Sequence, residues 1–120
     1  MMAQNEQILE RELVRGVHVF RLRMRMLEDA AALMALEQEL EHVLQAEEVS
    51  PKVVINLGSV EYLVTIALVK LVSFKKRIGA RGGTISLCSL QPAVREVMEI
   101  TRFDELFKIY DSEPQAIEKA

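Results

Sequence analysis

Few side chains in this sequence could do chemistry, and they are scattered. Cys88 is the single cysteine. It cannot form an internal disulfide, which fits a reducing compartment. Its neighbours in sequence are apolar and no cation is adjacent, so it reads as a buried strand thiol rather than a redox sensor. His18 and His42 have no second histidine or cysteine at metal-ligand spacing, and they read as structural or surface residues. Glu37, Glu39, Glu41, Glu47 and Glu48 superficially suggest paired catalytic carboxylates, yet their spacing suits the wet face of a helix. There is no Ser–His–Asp arrangement and no nucleophile elbow. Arg81-Gly82-Gly83 follows a helix instead of joining strand to helix, and it lacks the lysine of a phosphate loop. No catalytic residue, metal site or cofactor is expected. Two features remain. Arg21, Arg23 and Arg25 alternate along an extended segment, either as an exposed charged edge or as a surface for a partner's acids. Thr65 stands where a loop enters a helix, a place where threonine serves well as the N-cap.

The elements that must position these residues follow from the apolar pattern. Gln7 to Arg15 and Val17 to Leu22 read as a strand hairpin turning at Arg15-Gly16. Asp29 is a natural N-cap for a helix from Ala30 to about Ala46, with Leu33, Leu36, Leu40, Val43 and Leu44 at helical spacing. Ser50-Pro51 ends that unit. Lys52 to Leu57 is a nearly continuous apolar strand of the kind buried on both faces. A loop, Ser59 to Leu63, leads to a helix over Thr65 to Ala80, cored by Leu68, Leu71, Val72 and Ile78 and stopped by Arg81-Gly82-Gly83. The cluster Lys75-Lys76-Arg77 is the solvated end of that helix. Then come a strand, Thr84 to Ser89, a helix opening at Pro92, a short strand near Phe107 to Ile109, and a small helix beginning near Ser112 and Pro114. The order ββαβαβαβα predicts an α/β fold: a mixed, mostly parallel sheet of about five strands, with helices packed mainly on one face. In such a sheet the functional surface sits beyond the strand C-termini, which points to the loop after Leu57.

Composition narrows the function. The chain has 120 residues, enough for one domain with a real core, and residues 1–6 read as a tail. Its 15 basic and 18 acidic side chains give a net charge of −3, which argues against a nucleic-acid partner. The stretch from Leu63 to Val72 is interrupted by Thr65 and Lys70 and is too short to span a bilayer. The N-terminus lacks the apolar core of a signal peptide. A cytoplasmic protein with no membrane partner is expected.

Several runs together resemble the STAS domain family, which includes the anti-sigma factor antagonists of bacteria. They are Val53-Val54-Ile55-Asn56-Leu57-Gly58-Ser59-Val60-Glu61-Tyr62-Leu63, Arg81-Gly82-Gly83, Leu87-Cys88-Ser89-Leu90-Gln91-Pro92, and Ile100 to Asp111. The resemblance covers nearly the whole chain, and the stretch from Leu22 to Ala30 is most similar to small stand-alone versions. It implies a regulatory binding module whose partner is a kinase-type anti-sigma factor. In the family, a short Asp-Ser-Ser-Gly-Leu-Gly run opens the second helix, and one of its serines is phosphorylated by that partner. Aligned without gaps between Tyr62-Leu63 and Gly82-Gly83, that run falls on Val64-Thr65-Ile66-Ala67-Leu68-Val69. The usual acceptor position is Ile66, which has no oxygen; Thr65 is the one remaining hydroxyl. The resemblance therefore implies a partner face made by Glu61, Tyr62, Leu63, Val64, Thr65, Ile66, Val69 and Ser73, with Thr65 as the phosphorylation candidate. Ile66 and Val69 lie one helical turn apart and Ser73 one turn further. Alternatives are a structural scaffold or homodimer using the same apolar face, or a small-ligand or nucleotide module using the loop after Leu57.

Overall fold

The computed structural model describes residues 9–27, 30–46 and 49–120. Asp29 as a helix cap, residues 1–6 as a tail, and Glu47 and Glu48 lie outside them. Two strands, β1 (Leu9–Val14) and β2 (Val17–Leu22), form an antiparallel hairpin in which Val14 faces Val17. Arg15 and Gly16 both take positive φ, 52° and 80°. That is the backbone of the two-residue turn whose twist matches paired strands. The chain continues through β3 (Met26–Leu27), α1 (Ala30–Gln45), β4 (Lys52–Asn56), β5 (Tyr62–Leu63), α2 (Thr65–Ala80) and β6 (Thr84–Cys88). It ends with α3 (Pro92–Ile100), a 3-10 turn (Phe103–Glu105), β7 (Lys108–Tyr110) and α4 (Glu113–Lys119).

The main sheet has five strands in the order β1-β2-β4-β6-β7, parallel throughout except for β1. Its inner strands are apolar on both faces because both faces are covered. Phe20, Leu22, Val53, Ile55 and Leu87 point to one side and meet Leu36 and Leu40 of α1, Leu68 and Leu71 of α2, and Val94 and Met98 of α3. Val17, Val19, Val54 and Cys88 point to the other side, under Ala116 of α4. Three helices thus share one face and a single short helix closes the other, as the sequence pattern predicts.

Four details differ from the sequence expectation. β2 is an inner strand; the edges of the sheet are β1 and β7. The last strand is shifted by one residue, and Phe107 instead turns into the core at 6% exposure. In α2 the core positions are Ala67, Leu68, Leu71, Phe74 and Ile78, with Val72 only partly buried against them. The segment Ser59–Leu63 is not all loop: Tyr62–Leu63 pairs in parallel with Met26–Leu27. Two residues are too few for alternation to announce a strand.

The helix ends follow local chemistry. At the end of α2, Gly82 takes φ 76°, its N–H donates to Gly79 O at 2.9 Å, and the Gly83 N–H donates to Ile78 O at 3.0 Å. This is the paired-bond termination that glycine past a helix end permits. The Arg81 guanidinium donates to the carbonyls of Leu44 and Ala46, so it also closes the end of α1. Ser112 caps α4 by accepting from the Gln115 N–H at 3.3 Å.

Candidate functional site

The site grows from the C-terminal end of β4, where the chain must leave the sheet. Asn56 Oδ1 accepts from the Gly58 N–H at 2.7 Å, the tight turn that a short carboxamide offers its own backbone. The Val60 N–H closes on Leu57 O at 3.0 Å, and both side chains are fully buried. Gln91 Nε2 donates to Gly58 O at 2.8 Å and ties the loop to the entry of α3. Further along, the N–H groups of Glu61 and Tyr62 both donate to Arg25 O, at 2.7 and 3.1 Å. Arg25 Nε also donates to the Glu61 carboxylate at 3.0 Å, which favours the charged guanidinium. That pair is solvent-exposed and contributes little to stability. The loop is therefore fixed from beneath by buried apolar anchors and from the side by backbone bonds.

What it presents outward is apolar. Tyr62 is 49% exposed, Ile66 53% and Val69 49%, and Met26, the strand partner of Tyr62, is 50% exposed. Ile66 and Val69 share a face of α2. Thr65 and Ser73 are exposed as well. Leu63 is a different case: at 4% exposure it belongs to the core and cannot form part of a partner surface. Val64 is half-buried and packs on the same core. Glu61 is exposed but already engaged by Arg25. Met26 was not among the expected face residues; only its pairing with Tyr62 brings it there.

Thr65 is not the cap of α2. The N-cap is Val64, with φ −93° and ψ 161°, and no side chain caps the first turn. Thr65 is already the first helical residue, so its hydroxyl does not serve the helix end, and among the described residues no hydrogen bond engages it. Valine brings no oxygen to the free N–H groups of the first turn, which weakens the start of α2 by about 1 kcal/mol relative to a capping side chain.

A second layer lies behind the loop. Arg21 donates from Nε and Nη2 to both carboxylate oxygens of Glu113, at 2.8 and 2.7 Å. Its Nη1 stands 2.7 Å from Glu10 and 2.8 Å from Glu12. Asn56 Nδ2 donates to the same Glu113 carboxylate at 2.9 Å. One carboxamide thus joins α4 on one side to the Gly58 turn on the other. The Arg21 guanidinium, helped by Asn56, holds the Glu113 carboxyl below its ordinary value against the opposing effect of burial. The arginine series therefore divides: Arg21 is largely buried and pairs within the fold, whereas Arg23, 2.6 Å from Glu10, and Arg25, paired with Glu61, are exposed. The sequence reading missed Asn56, Gln91 and Glu113. The only available signal was Asn56 two residues before Gly58, a turn-forming pair at a strand end.

The other candidate groups do not join the site. Cys88 is fully buried in β6 and burial pushes its thiol up to about 11, so it is a poor nucleophile at neutral pH. His18 is buried on β2 with Nδ1 3.4 Å from the Arg11 guanidinium. His42 is exposed near the end of α1. Among the described residues no group of three or more His, Cys, Asp or Glu could hold a metal ion. Among them too, no helix is long and apolar enough to cross a membrane.

Comparison with known proteins agrees with this arrangement. The STAS domain family model matches residues 9–116. BtrV of Bordetella bronchiseptica, assigned as an anti-sigma factor antagonist, is 32% identical over 82 residues, covering 68% of this chain and 71% of that one. An anti-sigma factor antagonist from Mycobacterium paratuberculosis superposes with a TM-score of 0.76 at 25% identity, over 92% of this chain and 91% of that one. The anti-sigma factor antagonist SpoIIAA in its unphosphorylated form superposes with a TM-score of 0.76 at 18% identity, over 92% and 94% of the two chains, a likeness of fold.

Proposed function

The chain belongs to the STAS domain family, of the anti-sigma factor antagonist type, and from that premise we propose that it is a regulatory docking module that binds a kinase-type anti-sigma factor constitutively. The exposed apolar group Tyr62, Ile66 and Val69 at the start of α2 carries the reading. Large side chains half open to water on a well-anchored frame are what a protein contact uses. By resemblance, Ile66 stands at the family's phospho-acceptor position. Phosphate at a docking face acts by charge repulsion and desolvation, and isoleucine offers no oxygen to carry it. Thr65 next to it is exposed and has no hydrogen-bond partner among the described residues, so it is the remaining hydroxyl that could take a phosphate there.

The reading is tested by substituting Ile66→Asp. A carboxylate in the first turn of a helix is favoured by the helix dipole, so the variant should remain folded. It should lose at least about tenfold in affinity for the anti-sigma factor, a cost of about 1.4 kcal/mol. Unchanged binding and unchanged self-association in this variant would sink the docking face. Loss of a homodimer instead of a heterologous complex would favour the scaffold alternative.

A further inference from the structure

At the far end of α2 from the docking face lies an open cleft of about 350 Å³. Its walls are the last turns of α2, the start of β6, and the chain running from the 3-10 turn into β7. Thr65 and Gly79 are about 20 Å apart along the helix axis, so the cleft is separate from the docking surface. The volume falls in the range of small-molecule sites.

The lining combines two chemistries. Ile85 and Phe107 form a buried apolar floor, and Leu106 stands at the wall 43% exposed. Lys75 of α2 and Lys108 of β7 bring two cations, and Thr84 brings a hydroxyl. Neither lysine has an ion-pair partner among the described residues. Glu105 is the one acid in the lining, so the charged side chains sum to a single positive charge. Gly79 borders the cleft, and a Cβ at this position would meet nothing within 4 Å. Glycine inside a helix costs about 1 kcal/mol relative to alanine, and no close packing here requires it. Its effect is to leave the cleft open beside Lys75.

We propose that this cleft binds a small amphipathic carboxylate, with its apolar body against Ile85, Leu106 and Phe107 and its single negative charge between Lys75 and Lys108. One net positive charge matches a monoanion, and the buried floor suits a short alkyl or aromatic body.

The test is a titration of the isotopically labelled full chain with octanoate, followed through its backbone amides. Octylamine and 1-octanol are titrated in parallel as probes of the same length and different charge. Octanoate should give saturable shifts at Gly79, Thr84, Leu106 and Lys108, while octylamine gives none and 1-octanol binds about tenfold more weakly. Gly79→Leu should fill the cleft and abolish binding. Lys75→Ala with Lys108→Ala should weaken it about tenfold, since each exposed ion pair contributes a modest factor. Thermal melts establish that both variants are folded, and the surface lysine pair serves should Gly79→Leu fail to fold. No saturable shift up to about 10 mM octanoate, equal affinity for octylamine, or undiminished affinity in the folded lysine variant would overturn the proposal.

Discussion

Ile66 and Val64 are the two residues on which the proposed docking site turns, and each makes a separate prediction. Ile66 is half exposed on the first turn of α2, where nothing in the fold needs its apolar side chain. Its replacement by aspartate should therefore separate binding from stability: partner affinity falls while the melting midpoint stays or rises, as two parallel titrations would show. Val64 makes the opposite demand. It occupies the cap position without an oxygen, so Val64→Thr, close in shape, should stabilise the domain by about 0.5–1 kcal/mol in denaturant unfolding. Destabilisation would mean that the lost apolar contact with the core outweighs the new cap. The sequence reading of Thr65 as the N-cap falls one position late, since Val64 is the cap. Helix boundaries shift by a residue or so according to backbone angles that composition does not encode. Burial was harder still to read: Leu63 and Tyr62 are adjacent and both apolar, yet the short β3–β5 pairing sends one inward and the other out.

Among the elements, α4 and the loop after β4 are coupled through Glu113 and Asn56. The Glu113 carboxyl is held below its ordinary value of 4.5 in the folded protein, mainly by Arg21. A depressed carboxylate contributes stability that is fully present above the unfolded value and is lost as pH falls through the folded one. Acidification below about 4.5 should therefore loosen α4, and amide exchange of α4 and Gly58 should accelerate together. Glu113→Gln should remove that pH dependence and cost about 1–2 kcal/mol at neutral pH, because it leaves a largely buried Arg21 with fewer partners. If α4 stays protected in acid while the rest of the domain opens, the coupling is absent. The end of α2 allows a paired comparison. A Cβ on Gly83 would lie 2.2 Å from Pro51 O, so Gly83→Ala should destabilise by about 2 kcal/mol. Gly79→Ala meets open space and should stabilise by up to about 1 kcal/mol. Denaturant midpoints of the two variants should fall on opposite sides of the parent. The glycine stop after α2 was visible in the sequence because positive φ leaves few residue choices. The α4–Asn56 link was not, because Asn56 and Glu113 are distant in the chain and meet only across the sheet.

For the whole molecule, the order of strands and helices carries the fold. Near-continuous apolar runs at Val53–Leu57 and Ile85–Cys88 require cover on both sheet faces. Helical apolar stripes at Leu33–Val43 and Leu68–Ile78 supply that cover on one side. Those periodicities are long, so the five-stranded mixed sheet was legible before any coordinates. The position of β2 within the sheet was less so, since a hairpin at the N-terminus can join by either strand. A frame this regular presents its loop at the strand ends as a rigid surface. On such a frame, the proposed loss of a phospho-acceptor at Ile66 would alter regulation without altering shape.

The most direct test is to incubate the full chain with purified kinase-type anti-sigma factors of its host, with and without ATP, and to read complex formation and intact mass together. Constitutive docking predicts a complex with one of them that persists in ATP, an unchanged mass, and loss of that complex in Ile66→Asp. A one-phosphate mass increase at Thr65 that dissolves the complex would contradict it and restore a phosphorylation switch at the neighbouring position.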